Sequence, residues 1–175
     1  MSLRFGYQRT PMQNEELIAQ ILNTWQVNDR INLILLQHIS AKGLQAVPYG
    51  SRGRNVSQVF AHMHKVRLAW LNYNAPRLIR GIHRFKKKTS PGKSQLRASI
   101  RMSGKAVEKL LKSALMEEQS IKSFKRNPVR WMGYLISHES HHRGQIALAL
   151  KQCGLRLPEH VAIRGLWQEW YWGKN

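Results

Sequence analysis

The segment that most constrains the fold is residues 136–150, ISHESHHRGQIALAL, which holds three of the chain's eight histidines. His138 and His142 are four residues apart, so on a helix their side chains lie on the same face, one above the other. Asn127 is a suitable N-cap and Pro128 fits the first helical position, which favours a helix through this part of the chain. The pattern therefore predicts a long helix that carries the two histidines on its inward face.

Two histidines at this spacing can bind one divalent metal ion from a rigid backbone, although the same pattern also occurs in core histidines and on solvated basic faces. Zinc-type centres usually have three or four protein ligands, so a third ligand has to come from another part of the chain. The second predicted helix offers His62 and His64. Its apolar periodicity places His62 on one stripe with Val59 and Val66, which favours His62 as the inward histidine and leaves His64 as the alternative.

Three further segments have apolar residues at helical spacing, and none shows the alternation of a half-buried strand. The predicted helices span about residues 14–38, 55–74, 91–120 and 128–153, with N-caps at Asn14, Ser90 and Asn127. Residues 43–53 are predicted to form a loop. Residues 77–93 form a long basic connection, which implies at least one crossover. The sequence thus predicts an all-α protein, a four-helix bundle with a crossover connection.

Residues 155–175 form a tryptophan-rich C-terminal tail that includes Trp167, Trp170 and Trp172. These side chains are too apolar to leave unpacked, so we expect them to cover one end of the bundle, line a pocket or join two subunits. A length of 175 residues suits one domain with a proper core. We therefore expect a single domain over residues 1–175, with a helical core at about 14–154.

The chain is strongly basic, since 29 Lys and Arg residues against nine Asp and Glu give a formal net charge of +20. No acidic residue occurs between Asp29 and Glu108, and this interval includes three consecutive lysines at 86–88. Such a surface attracts polyanions, including nucleic acid, acidic lipid and small phosphorylated or carboxylated molecules. Net charge by itself indicates non-specific association, including non-specific nucleic-acid binding, and says nothing about fold or chemistry.

Composition and motifs exclude several classes of protein. The single cysteine, Cys153, excludes an internal disulfide and a cysteine-rich zinc site. No hydrophobic run has the length of a transmembrane helix and residues 1–16 contain no apolar signal core, so we expect no membrane span and a cytoplasmic location. The sequence has no nucleotide-binding glycine loop and no Ser-His-Asp arrangement.

Two motifs taken together resemble the DinB/YfiT family of metal-dependent proteins. They are FAHMHKVRLAWL in the second predicted helix and, about 75 residues later, LISHESHHRGQIALALKQCG. That family combines a histidine on the second helix with a His-x-x-x-His pair on a later helix, typically followed by Arg-Gly-Gln. Here the pair is His138 and His142, followed by Arg-Gly-Gln at 143–145. The resemblance extends over about residues 17–154.

The resemblance implies a four-helix bundle with a crossover, often dimeric, and a divalent metal ion held by His62, His138 and His142. His64 stays the alternative to His62, because this sequence has both, and His141 is expected beside the site or at the surface. Three imidazoles accept Zn, Ni, Fe or Cu, so the ligands do not identify the metal. They leave coordination positions free, which is typical of a catalytic centre.

Three functions from different classes are consistent with these features. The first is a metal-dependent enzyme, a thiol transferase or a hydrolase, that activates a low-molecular-weight thiol or a water for reaction with a small-molecule substrate. Glu139 is then a candidate general base, and Arg143 and Gln145 are candidates for orienting ligands or substrate. The second is a nucleic-acid-associated protein with a structural metal, and the third is a non-catalytic binder of a small anionic ligand. The resemblance also implies a homodimer, and the fold alone does not choose between the three functions.

Overall fold

The computed structural model describes residues 11–173, and the regular structure within this range is helical, without a β-strand. Its six α-helices are α1 Pro11–Gln37, α2 Ala41–Leu44, α3 Val56–Asn74, α4 Lys93–Leu115, α5 Pro128–Gln152 and α6 Gln168–Tyr171. Short 3-10 turns lie at Pro76–Ile79 and Phe124–Arg126, and a π-helical turn lies at Val161–Gly165. The predicted all-α class is confirmed. None of these helices is both long and apolar enough to cross a membrane.

The N-termini of α3 and α5 lie where the sequence predicts them. The Asn55 side chain accepts a hydrogen bond from the backbone N–H of Gln58 (2.9 Å), and the Gln58 side chain accepts one from the backbone N–H of Asn55 (3.2 Å). Asn127 accepts a hydrogen bond from the backbone N–H of Arg130 (2.9 Å), and Pro128 occupies the first turn of α5. Both caps satisfy donors that a helix leaves unpaired, which explains why local sequence predicts these two ends well.

The predicted start of α1 and both predicted ends of α4 were wrong. Helix α1 begins at Pro11, so Asn14 lies inside the helix and does not cap it. Helix α4 begins after Gly92, because the hydroxyl of Ser90, the predicted cap, instead accepts a hydrogen bond from the side-chain amide of Asn55 (3.0 Å). It ends at Leu115, five residues early, and Glu117 then adopts a left-handed φ of 61° that a right-handed helix does not continue through.

Helices α3 and α4 run parallel to each other. Near their starts, the hydroxyl of Ser57 donates a hydrogen bond to the carbonyl of Pro91 (2.7 Å). Further along both helices, Nδ1 of His64 lies 3.0 Å from Oγ of Ser103. Residues 75–92 therefore return along the length of the helices before α4 begins, which is the crossover that a connection of this length implies.

Helix α5 packs antiparallel to α3 and lies beside α1 as well. Tyr134, early in α5, contacts Trp70 near the end of α3 (ring centroids 5.8 Å apart), whereas His142 contacts His62 near its beginning (4.8 Å). This arrangement brings the histidines of the two predicted motifs to the same level of the fold.

The buried apolar residues form two clusters at different levels. One includes Leu36, Phe60, Met63, Ile100 and Ile146, with ten further buried members, and the other includes Trp25, Leu71, Val107, Leu111 and Trp131, with eight further buried members. Each long helix also carries buried polar residues that lie in sequence between the two sets: Asn28 and Asn32 on α1, His64 and Arg67 on α3, Ser103 on α4, and Glu139 and His142 on α5. A polar layer therefore separates two apolar cores, and the candidate site belongs to this layer.

The C-terminal tail packs against α1 through a partly buried ion pair between Arg30 and Glu169 (3.0 Å). Its aromatic residues stay largely at the surface: Trp167 is 60% exposed, Tyr171 65% and Trp172 77%. The tail therefore packs against α1 through Glu169 and its short helical turns, whereas most of its aromatic side chains do not cover the bundle.

Candidate metal centre

Three histidines converge where α3 faces α5. His62 comes from α3, and His138 and His142 come from successive turns of α5. One nitrogen from each ring lies within 4.8 Å of the others, so the group could hold a metal ion. We call these three residues the three-histidine cluster.

The donor atoms of the α5 pair have a separation that suits one ion. Nε2 of His138 lies 3.1 Å from Nε2 of His142. Two nitrogens bound to one ion at about 2.1 Å, at angles between about 90° and 109°, are roughly 3.0–3.4 Å apart. The residues present therefore fit a divalent metal.

All three rings favour the uncharged form that metal binding requires. Burial lowers the pKa of His62 to about 4, and the nearby positive charge of Arg54 adds to the effect. Burial likewise lowers the pKa of His138 and of His142 below the ordinary value for histidine. Neutral imidazoles near pH 7 keep a lone pair available for a metal.

Gln145 orients His142 from the side opposite the cluster. Its Oε1 lies 2.8 Å from Nδ1 of His142, so it accepts the Nδ1–H proton in the tautomer that leaves the Nε2 lone pair directed at His138. The other end of the same amide, Nε2, lies 2.9 Å from Nε2 of His141. His141 is exposed and outside the cluster, as expected, and the orienting role predicted for Gln145 agrees with this geometry.

The structure places His64 away from the cluster. Its ring is buried, with Nε2 donating to the carbonyl of His83 (2.8 Å) and Nδ1 beside the hydroxyl of Ser103 (3.0 Å). Both nitrogens are therefore engaged, and His64 joins α3 to α4 and to the crossover connection. Of the two alternatives on the second helix, His62 is the one that meets the α5 pair.

Glu139 is not placed as a general base would be. It is fully buried, and both of its oxygens accept from Arg67, Oε1 from Nε (2.6 Å) and Oε2 from Nη2 (2.9 Å). The side-chain amides of Asn28 and Asn32 also donate to Oε2, each at 2.7 Å. Burial acts to raise the pKa of Glu139, but the Arg67 guanidinium and these hydrogen bonds outweigh it and hold the pKa below its usual value. A carboxylate whose two oxygens are engaged by these four hydrogen bonds has a structural role.

Arg143 supports the same network and does not contact the histidines. Its Nη1 donates to Oδ1 of Asn28 (2.8 Å) and of Asn32 (2.9 Å), so the two amides bridge Arg143 to Glu139. Arg67 also donates to Asp29 (2.7 Å). Sequence reasoning missed the α1 and α3 members of this network. The available signal was the pair of asparagines, four residues apart, that interrupts the apolar stripe of α1.

A cleft of about 300 Å³ opens on the α3 side of the cluster. His62 forms part of its wall, and the other lining residues come from the loop before α3, the N-terminal part of α3 and the crossover connection, including the three lysines at 86–88. Arg54 and Lys65 add two more positive charges, and Phe85 forms an apolar side. We call this the basic cleft. It brings part of the chain's unusual charge next to the candidate metal site.

Comparison with known proteins agrees with the motifs. No curated protein and no solved structure gave a significant match. A family model described as the DinB family matches residues 12–172, which is nearly the whole chain and includes both histidine motifs and most of the tail. The helical fold, the two motifs and this match together place the chain in the DinB family.

Proposed function

We propose that this protein binds one divalent metal ion through His62, His138 and His142 and uses it to activate a small thiol or a water molecule. The observation that carries the proposal is the convergence of three rings from two helices, with donor atoms within 4.8 Å of one another. Their lowered pKa values support it, because the ligands need no deprotonation near pH 7.

Three imidazole ligands leave coordination positions for a substrate. When bound, the ion supplies Lewis acidity, which makes a thiol or a water more acidic near neutral pH. The chain's own residues hold the rings in place. Gln145 fixes the tautomer of His142, and the buried Glu139–Arg67 pair ties α5 to α3 one residue away from His138. The proposal gives Glu139 no proton-transfer role.

The metal site is tested by elemental analysis of untagged protein after purification and after reconstitution with zinc, nickel or iron near neutral pH. We expect about one ion per chain in the wild type and in His64→Ala, and a loss in His62→Ala and His142→Ala. His38→Ala is the matched control, since its ring is exposed and bonded only to the carbonyl of Ile34 (2.9 Å). If the wild-type protein holds no stoichiometric metal even after reconstitution, the proposal is refuted.

The reaction is tested separately on the metal-loaded protein. One assay supplies a low-molecular-weight thiol with an electrophilic chromogenic acceptor, and another supplies an activated ester without thiol. We expect turnover in one of the two assays that is absent in His142→Ala and unchanged in His38→Ala. Full metal occupancy without turnover in either assay would contradict the enzymatic part of the proposal and leave a metal-binding protein.

A further inference from the structure

The basic cleft shares a wall, His62, with the three-histidine cluster. We propose that this cleft holds the phosphate or carboxylate group of a small molecule whose reactive end lies at the three histidines. That the molecule is a substrate rests on the proposed function above, whereas the binding of an anion in the cleft can be measured by itself.

The charge of the cleft is concentrated and uncompensated. Its lining includes five cationic side chains, Arg54, Lys65 and the lysines at 86–88, and no acidic one. The ion pairs among the described residues use Arg30 and Arg67 and none of these five. Like charges that line one concave surface focus a positive potential within it, and an anion that enters relieves their mutual repulsion.

The segment that carries the lysines is held against α3 on both sides. Before them, Phe85 packs edge-on to the buried ring of His64 (centroids 5.5 Å apart). After them, the side chain of Gln58 donates to the carbonyl of Lys88 (3.1 Å) and the hydroxyl of Thr89 donates to the carbonyl of Lys86 (2.9 Å). The three charges are therefore presented by a fixed turn, which reduces the entropy lost when a ligand binds.

The shape of the cleft favours a small molecule over a nucleic acid. Its volume of about 300 Å³ is at the lower end of the range of small-molecule sites. A duplex or an extended strand would need cations spaced along a surface, because each phosphate contact contributes separately to affinity. Here five cations and His62 line one cavity, which suits a compact anion with one or two phosphates or several carboxylates.

The test is titration calorimetry at fixed ionic strength. Inorganic pyrophosphate is the probe, and it is titrated into the metal-free protein. The cleft variant is Lys86→Gln/Lys87→Gln/Lys88→Gln. The matched control is Arg97→Gln/Lys109→Gln/Lys112→Gln, on the exposed face of α4 and outside the cleft. Each triple change lowers the formal net charge equally, from +20 by three.

We expect saturable binding to the wild type, weakened about tenfold or more in the cleft variant and less than about twofold in the control. Equal losses in both variants, or no saturable binding to the wild type, would overturn the inference. A single-stranded oligonucleotide that binds wild type while pyrophosphate does not, and that is weakened equally by both triple changes, would assign the charge to a nucleic-acid surface instead.

Metal content, measured on the same proteins after reconstitution with the ion, separates this inference from the proposed function. The cleft variant should keep its ion, because it retains all three histidines, and His142→Ala should keep pyrophosphate binding while it loses the ion. A wild type that binds pyrophosphate in the cleft but no metal would refute the proposed function alone. Stoichiometric metal without saturable pyrophosphate binding would refute the cleft inference alone.

Discussion

Replacement of Glu139 by glutamine tests the buried network that supports the metal site. The carboxylate is fully buried and accepts four hydrogen bonds, two from Arg67 and one each from Asn28 and Asn32. Glutamine keeps the shape but offers one acceptor oxygen, so its NH₂ group would face donors. If the NH₂ replaces Oε1, the Nε–H of Arg67 is left unpaired, at a cost of about 1–3 kcal/mol. Loss of one partner from a buried ion pair costs about 3–5 kcal/mol. We therefore expect Glu139→Gln to lower the free energy of unfolding by about 3–5 kcal/mol.

The assay is urea unfolding followed by circular dichroism, with thermal unfolding in parallel. The expected loss corresponds to a fall in the midpoint temperature of roughly 6–20 °C for a chain of this size. Glu16→Gln is the matched control, since this glutamate is exposed and has only a long contact from Gln20 (3.5 Å), and it should change stability by less than about 0.5 kcal/mol.

A double-mutant cycle shows whether the loss comes from the pair. Arg67→Met alone strands the charge of Glu139, whereas Arg67→Met combined with Glu139→Gln removes both charges. The double variant should therefore lose clearly less than the sum of the two single variants. A Glu139→Gln effect below about 1 kcal/mol, or strictly additive effects, would refute the assignment of Glu139 as a buried, charged partner of Arg67.

Three further predictions concern the site and its supports. Between pH 7.5 and 5.5, zinc affinity should fall far less than the roughly 10³-fold expected of three ordinary imidazoles, because burial lowers the pKa of each ligand and protons compete less with the metal. A competition titration with a chelating dye measures the affinity, and a full 10³-fold loss would contradict the pKa argument. Gly104→Ala should lower the free energy of unfolding in urea by about 1–3 kcal/mol, because a Cβ there would overlap the carboxylate of Asp29. Gly133→Ala, in open space on α5, should be neutral or stabilising, and similar effects of the two changes would refute the close approach of Asp29 to Gly104. Gln145→Leu should weaken zinc binding about 10–100-fold without loss of the fold, because His142 loses the acceptor for its Nδ1–H; unchanged affinity would mean that the amide does not orient the ring.

Local sequence predicts the helices well wherever a helix end depends on one side chain. Asn55 and Asn127 cap the helices that follow them, and Gly154, with its φ of 69°, follows the end of α5. The ends of α4 could not be predicted in the same way. Ser90 is bonded to Asn55, which is 35 residues away in sequence, and a bond of that kind competes with a cap without leaving a local signal.

The sequence also contains most of the candidate site, because four-residue spacing on a helix places His138 and His142 together regardless of the rest of the fold. Periodicity favours His62 over His64 but does not explain the choice. The packing of α3 against α4 does, since it buries His64 against Ser103 and the carbonyl of His83 and leaves His62 free to face α5.

The roles of Glu139 and of the lysines depend on tertiary structure alone. Glu139 pairs with Arg67, 72 residues away, and with Asn28, 111 residues away, so nothing near it in the chain shows that its charge is already committed. The lysines at 86–88 look like an ordinary solvated loop until the crossover connection brings them beside His62. Hydrogen bonding and spacing within a few residues determine helices, caps and the histidine pair, whereas contacts between distant helices decide which polar groups are buried, paired or free to bind a ligand.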